Sequence, residues 1–292
     1  MKTKLLFKKE VTKKQVTTFA VSNDNKLLAY ATNEEDYLIG NSIFVFEIET
    51  QKPVAQFQSK NFRTIKFLLF IPGTSYLAHV VENEVTINDI ASGKLVFQTN
   101  ISAKVSAISI IGNNLAISFL TGVTCFNTET WEEEAINDEL KSLIYVRGYD
   151  EFYAGINTSG RIILNNIKNN SPVLFDTPFV CTSVLLSRNQ NLISGSCYSG
   201  TGFYLFDIKT QQEIKPDYPF NSMKVPVWDF NYSATRLALA ADTGMLTILN
   251  LENFETIAFE PLHKGPITNL LFIDDSNIIS SGLDGKLLIS NL

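Results

Sequence analysis

Residues 263–292, HKGPITNLLFIDDSNIISSGLDGKLLISNL, hold three short apolar runs, ITNLLF, NIISS and KLLISNL, separated by turn-formers at 274–277 and at Leu283-Asp284-Gly285. That order is the pattern of a three-stranded antiparallel meander, and it stops where a fourth strand is expected. The rest of the chain reads as six looser copies of the same stretch.

The copies are clearest in one apolar run per unit. IFVFEI (43–48), VTINDI (85–90), VTCFNT (123–128), RIILNNI (161–167), FYLFDI (203–208), LTILNL (246–251) and LLISNL (287–292) align at their last residues, which lie 42, 38, 39, 41, 43 and 41 positions apart. The penultimate residue is always an acid or an amide: Glu47, Asp89, Asn127, Asn166, Asp207, Asn250 and Asn291. After the first six comes a turn, as in ETQKP or ASGKL, and then a further short run such as VAQF or LVFQ. Each unit also opens on an apolar residue with another three positions later: Val16 and Phe19, Ile65 and Leu68, Val105 and Ile108, Leu140 and Leu143, Cys181 and Val184, Val225 and Trp228, Ile267 and Leu270. A period near 40 with four short strands per unit predicts an all-β fold, a seven-bladed β-propeller of four-stranded antiparallel blades. One domain, 1–292, is expected, with blades at 15–58, 62–98, 103–136, 140–175, 179–215, 224–259 and 263–292. The last blade lacks an outer strand, and residues 4–9 precede the first blade with no other place in the count. They are expected to pair beside 287–292, closing the ring through the two termini and covering a bare sheet edge.

Composition narrows the classes. The chain has 292 residues, 45% of them apolar and 18% charged, with 21 Phe and 10 Tyr to fill a core, which excludes a disordered chain. With 24 basic against 30 acidic residues the net charge is −6, which does not favour nucleic acid as a partner. The start, MKTKLLFKKEVTKK, carries a three-residue apolar run, too short for a signal peptide or a membrane span, so no membrane association and a cytoplasmic location are expected. Three scattered cysteines, Cys125, Cys181 and Cys197, with no CxxC pair, fit a reducing compartment. Cys181 and Cys197 fall on adjacent strands of one predicted hairpin, as approximate cross-strand neighbours; a redox or thiol-ligand pair and apolar packing are the two readings, and packing is preferred.

With these runs aligned, the chain resembles the WD-repeat β-propeller family over essentially its whole length. The last blade is the nearest in pattern: His-Lys-Gly-Pro (263–266) and Ser-Gly-Leu-Asp-Gly (281–285) stand where that family has its GH opening and its Asp-containing turn. The family's Trp-Asp ending is replaced by Phe46-Glu47, Asn88-Asp89, Phe126-Asn127, Asn165-Asn166, Phe206-Asp207, Leu249-Asn250 and Ser290-Asn291. The one literal Trp-Asp, Trp228-Asp229, falls in an opening strand. His263 is the single histidine at a blade start, so the resemblance implies that the family's His-Ser-Asp-Trp hydrogen-bond network is absent or incomplete in most blades.

The resemblance also places the opening ends of the blades on one rim of a central channel. Lys13 and Lys14, Arg63, Lys104, Lys141, Lys224 and Lys264 all lie within three residues of an opening strand's first apolar position, and only the fifth blade lacks such a residue. A broken ring of cations on an acidic protein would attract an anionic segment, either an acidic or phosphorylated peptide or a nucleic-acid backbone. The alternative is that lysines at strand starts are ordinary solvated edges. An insertion at 33–42, NEEDYLIGNS, should lie on the same rim and present Tyr37 to a partner. No GxSxG, HExxH, Walker loop or helix-opening GxGxxG occurs, and the two histidines, His79 and His263, fall in separate blades. No catalytic residue, cofactor or metal site is therefore assigned. The expected function is a non-enzymatic protein-interaction scaffold, a monomer or a subunit of a hetero-complex. The alternative is a propeller enzyme or small-ligand binder with its site in the channel.

Overall fold

Among the described residues the repeated apolar runs become 27 short strands and one four-residue helix, arranged as seven antiparallel sheets. The computed structural model describes residues 4–10, 15–33, 41–59, 63–177, 180–197, 203–215 and 227–292, without the side chains of 4–10 and 259. The fold is an all-β seven-bladed propeller. β1 (Lys4–Glu10) precedes the first blade, which is β2 (Val16–Val21), β3 (Leu27–Thr32), β4 (Ser42–Glu47) and β5 (Pro53–Gln58). The second blade is β6 (Ile65–Phe70), β7 (Tyr76–Val81), β8 (Glu84–Asp89) and β9 (Leu95–Asn100). The third is β10 (Val105–Ile111), β11 (Asn114–Phe119), β12 (Gly122–Asn127) and the two-residue β13 (Glu133–Glu134). Helix α1 (Asp138–Lys141) leads into the fourth, β14 (Leu143–Tyr149), β15 (Phe152–Asn157), β16 (Ile162–Asn166) and β17 (Val173–Phe175). The fifth is β18 (Cys181–Leu186), β19 (Leu192–Cys197) and β20 (Phe203–Asp207). The sixth is β21 (Val227–Phe230), β22 (Arg236–Ala240), β23 (Met245–Asn250) and β24 (Thr256–Pro261), and the seventh is β25 (Ile267–Phe272), β26 (Asn277–Gly282) and β27 (Lys286–Asn291).

The chain divides into two compact units. One comprises 1–104, 243–245 and 260–292, and the other 105–242 and 246–259. In the first unit β1 runs antiparallel to β27, with Lys4 opposite Asn291 and Glu10 opposite Lys286, so the seventh sheet has the order β1-β27-β26-β25. The strand missing from the quoted stretch is thus supplied by the other end of the chain. Cores in this unit form between neighbouring sheets: Val16, Phe19, Leu28 and Tyr30 of the first blade pack on Ile279, Leu287 and Ile289 of the seventh. Ala29, Ala31, Ile43 and Val45 pack on Ile65, Leu68 and Leu77 of the second. In the second unit the same sandwiching joins Cys125, Val123 and Ala116 to Val146 and Tyr153, and Phe203 and Leu205 to Trp228 and Leu239. Middle strands are covered on both faces and so read as nearly continuous apolar runs; all but the first residue of β3, β7 and β26 is buried. Outer strands β5 and β9 contain no buried residue.

The acid or amide that closes each third strand has a local cause. In the second to sixth blades its side-chain oxygen accepts a backbone N–H two or three residues on: Asp89 Oδ1 from Ala91, Asn127 Oδ1 from Glu129, Asn166 Oδ1 from Lys168, Asp207 Oδ1 from Thr210 and Asn250 Oδ1 from Glu252, at 2.7 to 3.1 Å; in the first blade Glu47 Oε2 accepts the Thr50 hydroxyl at 2.6 Å. The residue four positions along takes a positive φ in every such turn, at Gln51, Gly93, Trp131, Asn170, Gln211 and Phe254. This Asx-type turn needs the carboxylate or amide and makes no use of a preceding Trp, which is why one position of the pair persists while the other drifts.

One expectation is corrected. The fourth blade opens at Leu143, because Leu140 is in α1: Asn137 caps the helix by accepting the Leu140 N–H at 2.8 Å, and Asp138 and Glu139 fill its first turn. A three-residue apolar spacing suits one turn of helix as well as the start of a blade, and the cap decided between them. In the fifth blade the described residues show β18, β19 and β20, with an isolated bridge between Phe206 and Glu213 after them. The expected opening residue of the sixth blade, Val225, lies outside the described residues.

Candidate functional site

At the opening end of the second blade, three tight connections gather charged groups. Asn41 donates its side-chain N–H to the Arg63 carbonyl, which fixes the chain just before β6. Arg63 Nη1 forms an ion pair with Glu82 Oε1, and Glu82 sits in the β7–β8 turn with φ 55°. Next to it, Asn83 clasps the segment that leads to β10: its carbonyl accepts the Ile101 N–H at 2.8 Å and its Nδ2 donates to the Ile101 carbonyl at 3.0 Å. The clasp delivers exposed Lys104 beside Lys66, the second residue of β6. Ile65 and Leu68 anchor that strand in the core, leaving Lys66 half-buried between them. Lys66 is held below the ordinary lysine range, first by the Lys104 ammonium beside it and then by burial, and Glu82 offsets part of the effect. Neither lysine pairs with a carboxylate within 4.0 Å among the described residues. The result is two close like charges with an Arg63–Glu82 pair beside them, an arrangement that an anion would relieve.

The remaining predicted positions are distributed as follows. Lys264 is exposed, and its backbone N–H donates to Asp284 Oδ2 at 3.1 Å, in a separate network on the seventh blade. Lys141 is the exposed last residue of α1 in the second unit. Lys14, Tyr37 and Lys224 lie outside the described residues. Lys66 was missed by sequence reasoning because attention went to residues flanking the opening strands. The available signal was a lone Lys inside the apolar run IKFLLF.

On the seventh blade His263 Nδ1 and Asp284 Oδ1 are 2.9 Å apart, and His263 Nε2 and Ser280 Oγ are 2.9 Å apart. Burial holds the imidazole below its ordinary pKa, and the Asp284 hydrogen bond offsets this in part. Burial pushes the Asp284 carboxyl up, but hydrogen bonds from His263 and the backbone N–H groups of Lys264 and Lys286 outweigh it and leave the pKa lowered. A neutral imidazole that donates from Nδ1 to the carboxylate and accepts the Ser280 hydroxyl at Nε2 satisfies all three groups. At the end of β27 the residue before Asn291 is the buried Ser290. Among the described residues no group of three or more His, Cys, Asp or Glu could hold a metal ion, and no helix is long and apolar enough to cross a membrane.

No protein-family model matches the chain, and no curated protein sequence does. Solved structures do. The fold is similar to Hsv2 of Kluyveromyces lactis (TM-score 0.71, 12% identity, 91% of this chain and 89% of that one) and to a KlHsv2 whose loop 6CD is replaced by a Gly-Ser linker (TM-score 0.72, 13% identity, 91% and 89%). It is similar also to Hsv2 of Kluyveromyces marxianus, with TM-score 0.72, 14% identity and 91% and 88% covered. At such identities the likeness is one of fold.

Proposed function

We propose that this chain is a degenerate WD-repeat propeller that works as a non-enzymatic binding scaffold in the cytoplasm, taking an acidic or phosphorylated segment of a protein partner on its opening-loop face. The single observation that carries the reading is the close Lys66–Lys104 pair beside Arg63, built by the Asn83–Ile101 clasp. Two like charges held by backbone hydrogen bonds cost stability in the free protein, and an incoming anion offsets that cost. WD-repeat membership is supported by the His263–Ser280–Asp284 network and by the acid or amide at each third-strand end.

The test is affinity capture from native lysate with the wild-type chain and with Arg63, Lys66 and Lys104 all changed to Glu, followed by mass spectrometry. The reading expects partners held by the wild type to be lost from the variant while its circular dichroism is unchanged. Phosphatase treatment of the lysate separates phosphorylated from acidic partners. Capture of the same partners in the same yield by the folded variant would overturn it.

A further inference from the structure

The chain contains three cysteines, and two of them touch. Cys181 begins β18 and Cys197 ends β19; they are direct partners in the antiparallel ladder, with Sγ atoms 3.7 Å apart and neither sulfur in a disulfide. Residues opposed in this way have Cα atoms about 4.5 to 5.5 Å apart, inside the range a disulfide spans. Cys181 also donates its backbone N–H to the Gly160 carbonyl at 2.9 Å, and the ladder shifts register between Cys181 and Ser183. Gly195 leaves the space for the sulfur: a Cβ there would lie 3.3 Å from Cys181 Sγ and 2.6 Å from Ile162 Cδ1. Closing the pair requires the two sulfurs to approach to about 2.05 Å, a matter of side-chain rotation at this geometry.

We propose that Cys181 and Cys197 are a modification site, a dithiol that closes reversibly to an intrachain disulfide. A low-molecular-weight disulfide, RSSR, is the oxidant. One cysteine sulfur attacks it, breaking the RS–SR bond, forming a mixed disulfide and releasing RS⁻, which takes up the attacking cysteine's proton. The second cysteine sulfur attacks the first, forming the Cys181–Cys197 bond and expelling the second RS⁻, which takes up the second proton. The protein loses two electrons and two protons, and RSSR becomes two RSH.

The surroundings favour this product over other thiol chemistry. The pair lies in an apolar cluster with Val184, Ile156 and Tyr204, which disfavours any charged species such as a lasting thiolate. Dithiol and disulfide are both neutral, so burial leaves the equilibrium between them nearly untouched and acts on the rate. Burial pushes the Cys181 thiol up to about 12, and exchange proceeds through opening of the hairpin end, where Val180 is exposed. The location has a structural consequence. The fifth blade is the one whose outer position is a single bridge among the described residues, and the bond would staple its first two strands at the open end of their hairpin.

The test uses the full wild-type chain, equilibrated natively in mixtures of reduced and oxidised glutathione and then digested without reduction. The expected result is one cross-linked peptide pair containing positions 181 and 197, lost on reduction, absent from Cys181→Ser and Cys197→Ser, and kept in Cys125→Ser. In the oxidised wild type, local opening of β18 and β19 read by hydrogen exchange should fall by about 100-fold, the loop-closure effect for a loop of this length. Both thiols remaining free at the most oxidising ratio would overturn the proposal. So would glutathione adducts on single cysteines without a cross-link, a cross-link that forms only in denaturant, or unchanged exchange in the oxidised protein, and these two wild-type readouts stand even if a serine variant fails to fold.

Discussion

His263 Nδ1 meets Asp284 Oδ1 at 2.9 Å, tying the residue that opens the seventh blade to the turn between β26 and β27, twenty-one positions later. Both side chains are nearly excluded from solvent. Breaking one partner strands the other, so His263→Ala should cost about 1 to 3 kcal/mol of unfolding free energy. A double-mutant cycle with Asp284→Ala should show coupling of about 0.5 to 3 kcal/mol in urea melts. Additive losses would mean that the contact holds nothing together.

His79 sets an acid limit. Buried at 6% exposure in the middle of β7, it is pushed by burial down to about 4 from an ordinary 6.5. Its folded pKa is depressed, so the unfolded chain takes the proton first. Stability is whole above about pH 6.5 and is lost as pH falls towards 4, by roughly 3 kcal/mol at 1.36 kcal/mol per unit. His263, also lowered, adds loss of the same sign below 6.5. Urea midpoints from pH 7.5 to 4.5 should fall steeply for the wild type and distinctly less for His79→Gln; parallel curves would refute the assignment.

Deleting residues 1–10 removes β1 and bares the edge of β27 along the register from Lys286 to Asn291. Thermal melts of the truncated chain should show a loss of at least about 2 kcal/mol, or roughly 4 to 8 °C. An unchanged melting temperature would mean that the terminal pairing adds nothing.

Lys104→Glu separates binding from stability. It replaces a repulsion at Lys66 with an attraction, so the folded state should gain about 0.2 to 1 kcal/mol while partner capture falls. Capture that survives the change places the partner elsewhere.

Much of the fold was legible because a repeat writes the same physical demand many times. The acid or amide at Asp89, Asn127 and Asn166 is required by a turn whose hydrogen bonds lie within a few residues, so it shows in the chain as a fixed mark. Leu140 was misread because its spacing to Leu143 satisfies helix and strand alike, and only the Asn137 cap distinguishes them. Trp228 shows the opposite limit: its Nε1 donates to Ser194 Oγ at 2.8 Å, a partner on another blade that no local pattern names.

By itself the sequence determined the number of sheets, the order of strands within each, and that residues 4–9 belong beside 287–292, because each follows from short-range turn chemistry and from counting strands. Tertiary structure alone decided that the Lys104 ammonium comes near enough to Lys66 to lower its pKa and that Cys181 and Cys197 bring their sulfurs to 3.7 Å. The physical reason is one of range. Turns and alternation act over a few residues, whereas charge proximity and thiol contact depend on how strands thirty or more positions apart, or the two arms of a hairpin, place their side chains in space.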